Sequence, residues 1–516
     1  MHGRQTNFFP KFYVAPPVGG FTSPATSGFV LPGNFSGNAP EGFPRENSTL
    51  LNHPIQPLPE PRIGFSWQPF SSKGLVLRGG YGIYANRISF GGNGVPLTFN
   101  PPFTLSAVFT GGANAAASLQ HPFPDLPPTA SFPNFVGNML PGPPFIGNAF
   151  LRSASITDPD FKESTVQHFD LDFQYQHKSY VFSLAYAGAK GTHLALGQDN
   201  NQPLLASPSN PVNELTTNSV ANAPERVPFV GLSPLIFRLE SSGNAIYNSL
   251  QATLKKDMSH GLQFLAAYTF SKSIDDAGDS LGAAIGGSFG RPIFGELVYN
   301  DQNNVAAQRS VSDFDREHRF VINGTWNVPG PEHATSAAVQ KLGNGWSISY
   351  IVTLQSGLPF SILDGAAGTL FGPATTYTTA DLAVGATLKD ARRGGSVSGR
   401  VNEFFNTKTF VPAPFVPDGG LIDGKYPVAG GGTIFGDLGR NILRGPDQQD
   451  FDMAVIKTTP LTERVKLIFR WEIFNLLNRP NFANPSDDVS TPSTFGVISA
   501  LTVNPRIMQY ALKLEF

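Results

Sequence analysis

With 14% charged and 12% aromatic side chains, this 516-residue chain is poorer in charge than soluble proteins, where about a quarter of residues are charged, yet only 40% of it is hydrophobic. A net charge of −2 gives no bulk electrostatic case for nucleic-acid binding, and the lack of cysteine excludes disulfides and thiolate metal sites. No window approaches about twenty consecutive apolar residues, which excludes helical membrane spans.

Residues 1–61 are loaded with Pro, Gly, Asn and Phe, and read as an external loop or linker with at most a short strand near residues 8–14. The first residues, Met1-His2-Gly3-Arg4-Gln5-Thr6-Asn7, lack the apolar core of a secretory signal, as expected for the downstream part of a longer precursor.

From residue 62 a period of two sets in, and it puts alternate side chains on opposite strand faces. Ile63, Phe65 and Trp67 share a face, and a tight turn leads to Leu75, Leu77, Tyr81 and Ile83, with Arg78, Gly80 and Gly82 opposite. After about seventy loop-like residues, Phe169, Leu171, Phe173 and Tyr175 pair with Tyr180, Phe182, Leu184 and Tyr186. A third hairpin carries Leu250, Ala252 and Leu254, a turn at 255–261, then Leu262 to Phe270. A fourth runs Phe320, Ile322, Gly324, Trp326, Val328, then Trp346, Ile348, Tyr350, Val352 and Leu354.

Residues 357–449 are the longest irregular stretch. The fifth hairpin has Phe451, Met453 and Val455, then Val465, Leu467, Phe469, Trp471 and Ile473, whose strand shows Arg464, Lys466, Arg470 and Glu472 on its other face. A buried soluble sheet could hardly hide that charged face, whereas a watery lumen accepts it. The chain closes on Tyr510, Leu512, Leu514 and Phe516, alternating with Gln509, Ala511, Lys513 and Glu515.

About eleven strands of roughly ten residues, joined by alternately short and long connections, predict an all-β, antiparallel transmembrane barrel with periplasmic turns and extracellular loops over residues 62–516. The first and last strands run the same way, so closure needs an odd number of further strands. One near residues 8–14 would make about twelve; about eleven upstream would make twenty-two, the size of plugged outer-membrane transporters. Trp67, Tyr81, Trp326, Trp346 and Trp471 suit an interfacial aromatic girdle.

Other patterns carry chemistry only weakly. Gly286-Gly287-Ser288-Phe289-Gly290 matches a nucleophile elbow but lacks the strand and helix that motif needs. Asp275, Asp276 and Asp279 could bind calcium without EF-hand spacing, and Asp313, Asp315, Glu317 and His318 could meet a metal or cationic solute; solvated loop and strand capping are the plainer readings. Arg464, Lys466 and Arg470 either attract anions or pair with neighbouring acids. No catalytic, cofactor-binding or metal residue is assigned, and no enzymatic activity is expected.

Several stretches resemble the C-terminal half of TonB-dependent receptor-like barrels, and more narrowly the large Oar-like proteins of Acidobacteria. They are Pro61-Arg62-Ile63-Gly64-Phe65-Ser66-Trp67, Leu77-Arg78-Gly79-Gly80-Tyr81-Gly82-Ile83-Tyr84, Ala185-Tyr186-Ala187-Gly188-Ala189-Lys190-Gly191-Thr192-His193-Leu194, Tyr268-Thr269-Phe270-Ser271-Lys272-Ser273, Asp313-Phe314-Asp315-Arg316-Glu317-His318-Arg319-Phe320 and Glu472-Ile473-Phe474-Asn475-Leu476-Leu477-Asn478. The resemblance implies nutrient uptake across the outer membrane, driven through a plug and a TonB-contacting segment that would lie upstream of these residues. It also implies an unidentified ligand at the external loops, contact with membrane lipid, and a barrel-assembly signal at Tyr510, Leu512, Leu514 and Phe516. A passive pore or an adhesion or scaffold protein is the alternative.

Overall fold

A computed structural model describes residues 6–15, 27–36, 43–53, 58–70, 74–86, 100, 155–230, 232, 236–276, 296–297, 299–331, 336–372 and 378–516. Asp279 and residues 286–290 lie outside them.

Period-two patterning produces one continuous antiparallel wall. Its strands are β1 (Arg62–Phe70), β2 (Leu75–Asn86), β3 (Ser164–His177), β4 (Tyr180–Asp199), β5 (Phe237–Ser259) and β6 (Leu262–Asp275). They continue as β7 (His318–Asn327), β8 (Trp346–Gln355), β9 (Gln448–Pro460), β10 (Lys466–Phe474) and β11 (Ile507–Glu515). Each pairs with its neighbours in sequence. The predicted alternation of short and long connections holds throughout.

The register carries the two faces across the body of the wall, with local shifts between Trp67 and Phe70, between Leu262 and Phe264 and around Leu194. One row runs Leu77, Phe173, Leu184, Ala252, Tyr268, Phe320, Leu354. The adjacent row, one residue along each strand, runs Arg78, Asp172, Ala185, Gln251, Thr269, Arg319, Gln355. A one-residue slip would exchange them, so the pattern itself enforces the register.

Two hairpins are tighter or longer than their sequence suggests. The turn expected at 255–261 shrinks to His260-Gly261, both left-handed at φ 52° and 77°. Two successive positive φ values define the hairpin turn whose twist matches that of its strands. Lys255 therefore lies in β5, which together with β4 reaches 23 and 20 residues. A strand crosses a bilayer in roughly 9–11 residues, so this hairpin projects far beyond it. The projection shifts register around Leu194, beside His193 at φ 54°.

The long connections fold into an external layer. The twelfth strand considered near residues 8–14, the less favoured route to closure, does not join the wall: Asn7–Phe8 pairs with Phe29–Pro32, which pairs with Arg45–Glu46. Phe8 is fully buried against Phe29, Ile156, Leu232 and Ile236, whereas a closing strand would expose one face to lipid. Ser155–Thr157 adds in parallel to β5, and the Asn7 side chain bonds both N–H and C=O of Thr157, at 3.0 and 2.8 Å.

Residues 357–449, expected to be irregular, build a second cored unit with the 475–506 connection. Phe360, Ile362, Phe404, Phe405, Phe410, Phe495 and Ile498 bury together, with Phe405 edge-on to Phe410 and Phe495. Its strands are two-residue pairs such as Asp381–Leu382 with Phe410–Val411, too short to leave a periodic trace.

The wall is open among the described residues. β1 pairs only with β2 and β11 only with β10, and both edges are exposed along nearly their whole length.

Candidate functional site: the inner face and its external cover

The polar face lines a cavity of about 530 Å³ that crosses the wall obliquely from the short-connection end of β5 to the long-connection end of β10. Gln263, Asn323, Thr325 and Ser349 supply amides and hydroxyls, and Thr325 and Ser349 hydrogen-bond at 3.0 Å. Lys255, Asp257, Asp452, Arg470 and Glu472 supply the charges. Lys255 pairs with Asp257 at 2.8 Å and Arg470 with Glu472 at 2.5 Å. Farther round the wall Arg78 lies 3.8 Å from Asp172 and donates to Gln174 at 2.7 Å. The surface suits passage or binding of a hydrated polar solute and shows no single-sign field.

Of the predicted inner-face charges, Lys466, Arg470 and Glu472 lie on β10, while Arg464 falls in the exposed turn before it. Turn residues there bond locally, Arg464 N–H to Thr462 Oγ1, and so escape the strand's alternation.

Aromatics mark two levels on the apolar face. Trp67, Trp326 and Trp346 lie within a few residues of the short-connection ends of their strands. Toward the other end, the Tyr81, Tyr186 and Tyr268 hydroxyls bond Gln167 (3.0 Å), Asn248 (2.6 Å) and His318 (2.8 Å). Each partner sits on the next strand, diagonally toward the long connections. Aromatic bodies with polar tips pointing outward are what an interfacial belt requires. Trp471 instead stacks on Tyr510 in the body of the wall, centroids 6.0 Å apart.

The carboxylates near the mouth of the wall face arginines of this same chain. Arg440 is buried, paired with Asp275 and 3.5 Å from Asp313. Arg444 pairs with Asp315 and lies 3.8 Å from Glu317; Asn441 bonds Asp313 and the Val311 carbonyl. Asp276 takes Arg309 at 3.1 Å. Asp275, Asp313, Asp315 and Glu317 thus serve as counter-ions that tie the 357–447 unit to the end of β6 and the entry to β7, while Asp276 pairs within the connection between those strands. Among the described residues no group of three or more His, Asp or Glu is placed to hold a metal ion. Arg440 and Arg444 escaped the sequence reading, although two arginines four apart in a glycine-rich run, with Asp-x-Asp-x-Glu elsewhere, were a charge-complementary signal.

Two more buried ions stiffen the cover. Arg226 is fully buried and donates only to neutral oxygens, including Asn222 Oδ1 (2.8 Å) and the carbonyls of Leu204, Ser219 and Leu370; burial lowers its pKa to about 10. Asp199, at the outer tip of β4, is pushed up to about 7 by burial, against the pull of the Asn201 and Ile236 N–H groups.

A family model described as an outer membrane beta barrel domain matches residues 1–509. The chain belongs to that family. It is therefore a bacterial outer-membrane β-barrel protein, its short turns periplasmic and its long loops external. The apolar rows of the wall face lipid.

Among solved structures it is similar to the outer membrane transporter YddB from Escherichia coli, at 10% identity and TM-score 0.40, covering 88% of this chain and 40% of that one. The siderophore receptor PirA from Acinetobacter baumannii matches at 10% identity, TM-score 0.37, with 88% and 40% covered. A variant of the ferric enterobactin receptor PfeA from Pseudomonas aeruginosa matches at 9%, TM-score 0.36, again with 88% and 40% covered. The chain spans about two fifths of the length of these proteins. No curated protein sequence matches it.

Proposed function

We propose that this chain is wall and external cover of an outer-membrane uptake receptor of the TonB-dependent, Oar-like type, which binds a polar nutrient from outside and passes it inward. The observation that carries this reading is the polar, charge-paired inner face with its 530 Å³ cavity, beside a well-cored external layer. Such an arrangement offers binding and a hydrated path. Energised uptake would need a plug and a TonB-contacting segment, which the resemblance places N-terminal to the wall. Tyr510, Leu512, Leu514 and Phe516 serve as the signal to the barrel-assembly machinery; all four are exposed, Phe516 at 91%.

The test is uptake of labelled small polar solutes by cells carrying the full chain in the outer membrane, comparing wild type with Glu472→Lys and Asp452→Arg. Inner-face substitutions should alter solute selectivity. Uptake indistinguishable among the three proteins would sink the reading. An adhesion or scaffold role would then stand, for which Phe415, Val384 and Leu421, exposed on the cover, offer contact area.

A further inference from the structure

Lys457 breaks the pattern of the wall. Its pairing with Trp346 places it on the apolar face, where a lone ammonium is costly. The structure satisfies it from the connection between β7 and β8. A short helix, Ala337–Gly343, sets its C-terminal turn over this spot. Lys457 Nζ donates to the Lys341 carbonyl at 2.7 Å and to that of Asn344, and lies 5.6 Å from the centre of the Trp346 ring. Trp346 Nε1 donates to the Leu342 carbonyl at 2.8 Å. Unsatisfied carbonyls at a helix end are natural partners for a lysine.

These bonds fix the side of the wall on which the helix sits. Lys457 and Trp346 both project outward, so a segment bonded to both side chains lies outside the barrel, at its periplasmic rim. Residues three apart share a helix face. Here Val339 and Leu342 share one, 49% and 74% exposed, while Lys341 lies on another. The helix is bonded to Trp346, which shares the outward face of its strand with Ile348, the partner of Trp326 in the lipid-facing rows.

We propose that the helix Ala337–Gly343 is an interfacial anchor, its Val339 and Leu342 seated among the glycerophospholipids of the inner leaflet of the outer membrane. The occupant is lipid because the surface continues the lipid-facing band and Lys457, the cation of that band beside the helix, is already held by carbonyls. An amphipathic segment with apolar residues on one side and lysine on another lies in the plane of such an interface. Lys457 is then a tether that holds the helix flat at headgroup depth. The inference rests on the membrane wall and is independent of any transported solute.

The chain has no cysteine, so single labelling sites are clean. Leu342→Cys and, as an external reference, Val384→Cys would carry an environment-sensitive fluorophore in the full chain, reconstituted in phosphatidylethanolamine–phosphatidylglycerol vesicles. At Leu342 we expect blue-shifted emission, strong quenching by headgroup-level nitroxide lipids and weak quenching by iodide, with the reverse at Val384. Lys457→Met suits a lipid-facing position, and should weaken lipid quenching at Leu342 while Val384 is unchanged. Iodide quenching at Leu342 equal to that at Val384, or shielding from both quenchers, would overturn the proposal. The second result would mean that protein covers the helix instead of lipid.

Discussion

The Arg440 guanidinium, 1% exposed, is paired with the Asp275 carboxylate, 7% exposed, at the outer end of β6. The pair joins the last turn of a wall strand to the middle of the longest external connection. Burying two charges is expensive, and the pair repays that only while both members are present. Asp275→Ala should therefore destabilise the cover by about 3–5 kcal/mol, far more than an exposed ion pair would. Limited proteolysis checks this: cleavage within 357–447 should accelerate while the wall stays heat-modifiable on gels.

Acidification should stabilise the cover through Asp199. Its folded pKa of about 7 exceeds the ordinary carboxylate value of 3.8, so the folded state holds its proton more tightly than the unfolded one. Stability then falls as pH rises from about 4 to about 7 and levels off above that, by on the order of a few kcal/mol. Asp487, raised to about 6 by burial, adds a smaller slope of the same sign. Melting temperature against pH should show the slope in the wild type, and Asp199→Asn, whose Oδ1 still accepts from Asn201 and Ile236, should flatten most of it.

Adjacent residues of β8 should respond oppositely to one charge. Val352 pairs with Ile322 and Phe451 on the lipid side, whereas Thr353 pairs with Val321 and Asp450 on the inner side. Val352→Arg should cost about 2–4 kcal/mol in denaturant titrations of the lipid-reconstituted protein. Thr353→Arg should change solute selectivity with little loss of stability. Equal losses at the two positions would contradict the register.

Removing the terminal aromatic separates assembly from stability. Phe516 lies beyond the last paired residue, Glu515, and contributes no ladder bond. Deleting it should lower the yield of folded barrel in cells, while refolding of the purified chain into detergent stays unchanged.

Most of the wall was legible because its selection pressure is local. Phe169, Leu171, Phe173 and Tyr175 alternate with Asp170, Asp172 and Gln174 for a reason that each strand satisfies by itself, lipid on one side and water on the other. That reason stops at the membrane surface. The first residues of β5, among them Arg238 and Glu240, are strand without being amphipathic, since neither side meets lipid there. The cover was illegible for another reason: Phe405 meets Phe495 and Arg440 meets Asp275 across long separations, through two-residue strands that carry no period. A chain 14% charged nonetheless places Asp-x-Asp-x-Glu and Arg-x-x-x-Arg in two loops, and that complementarity was readable.

Among the described residues eleven strands form the main path of the wall, and the odd number constrains how its two edges can meet. β1 and β11 both descend toward the periplasm. Two copies related by rotation about the membrane normal would bring β11 of one beside β1 of the other in parallel, against the antiparallel ladder of every other pair in the wall. An all-antiparallel closure would take an odd set of strands whose two outermost members both climb, whereas direct closure would make one parallel pair at the seam.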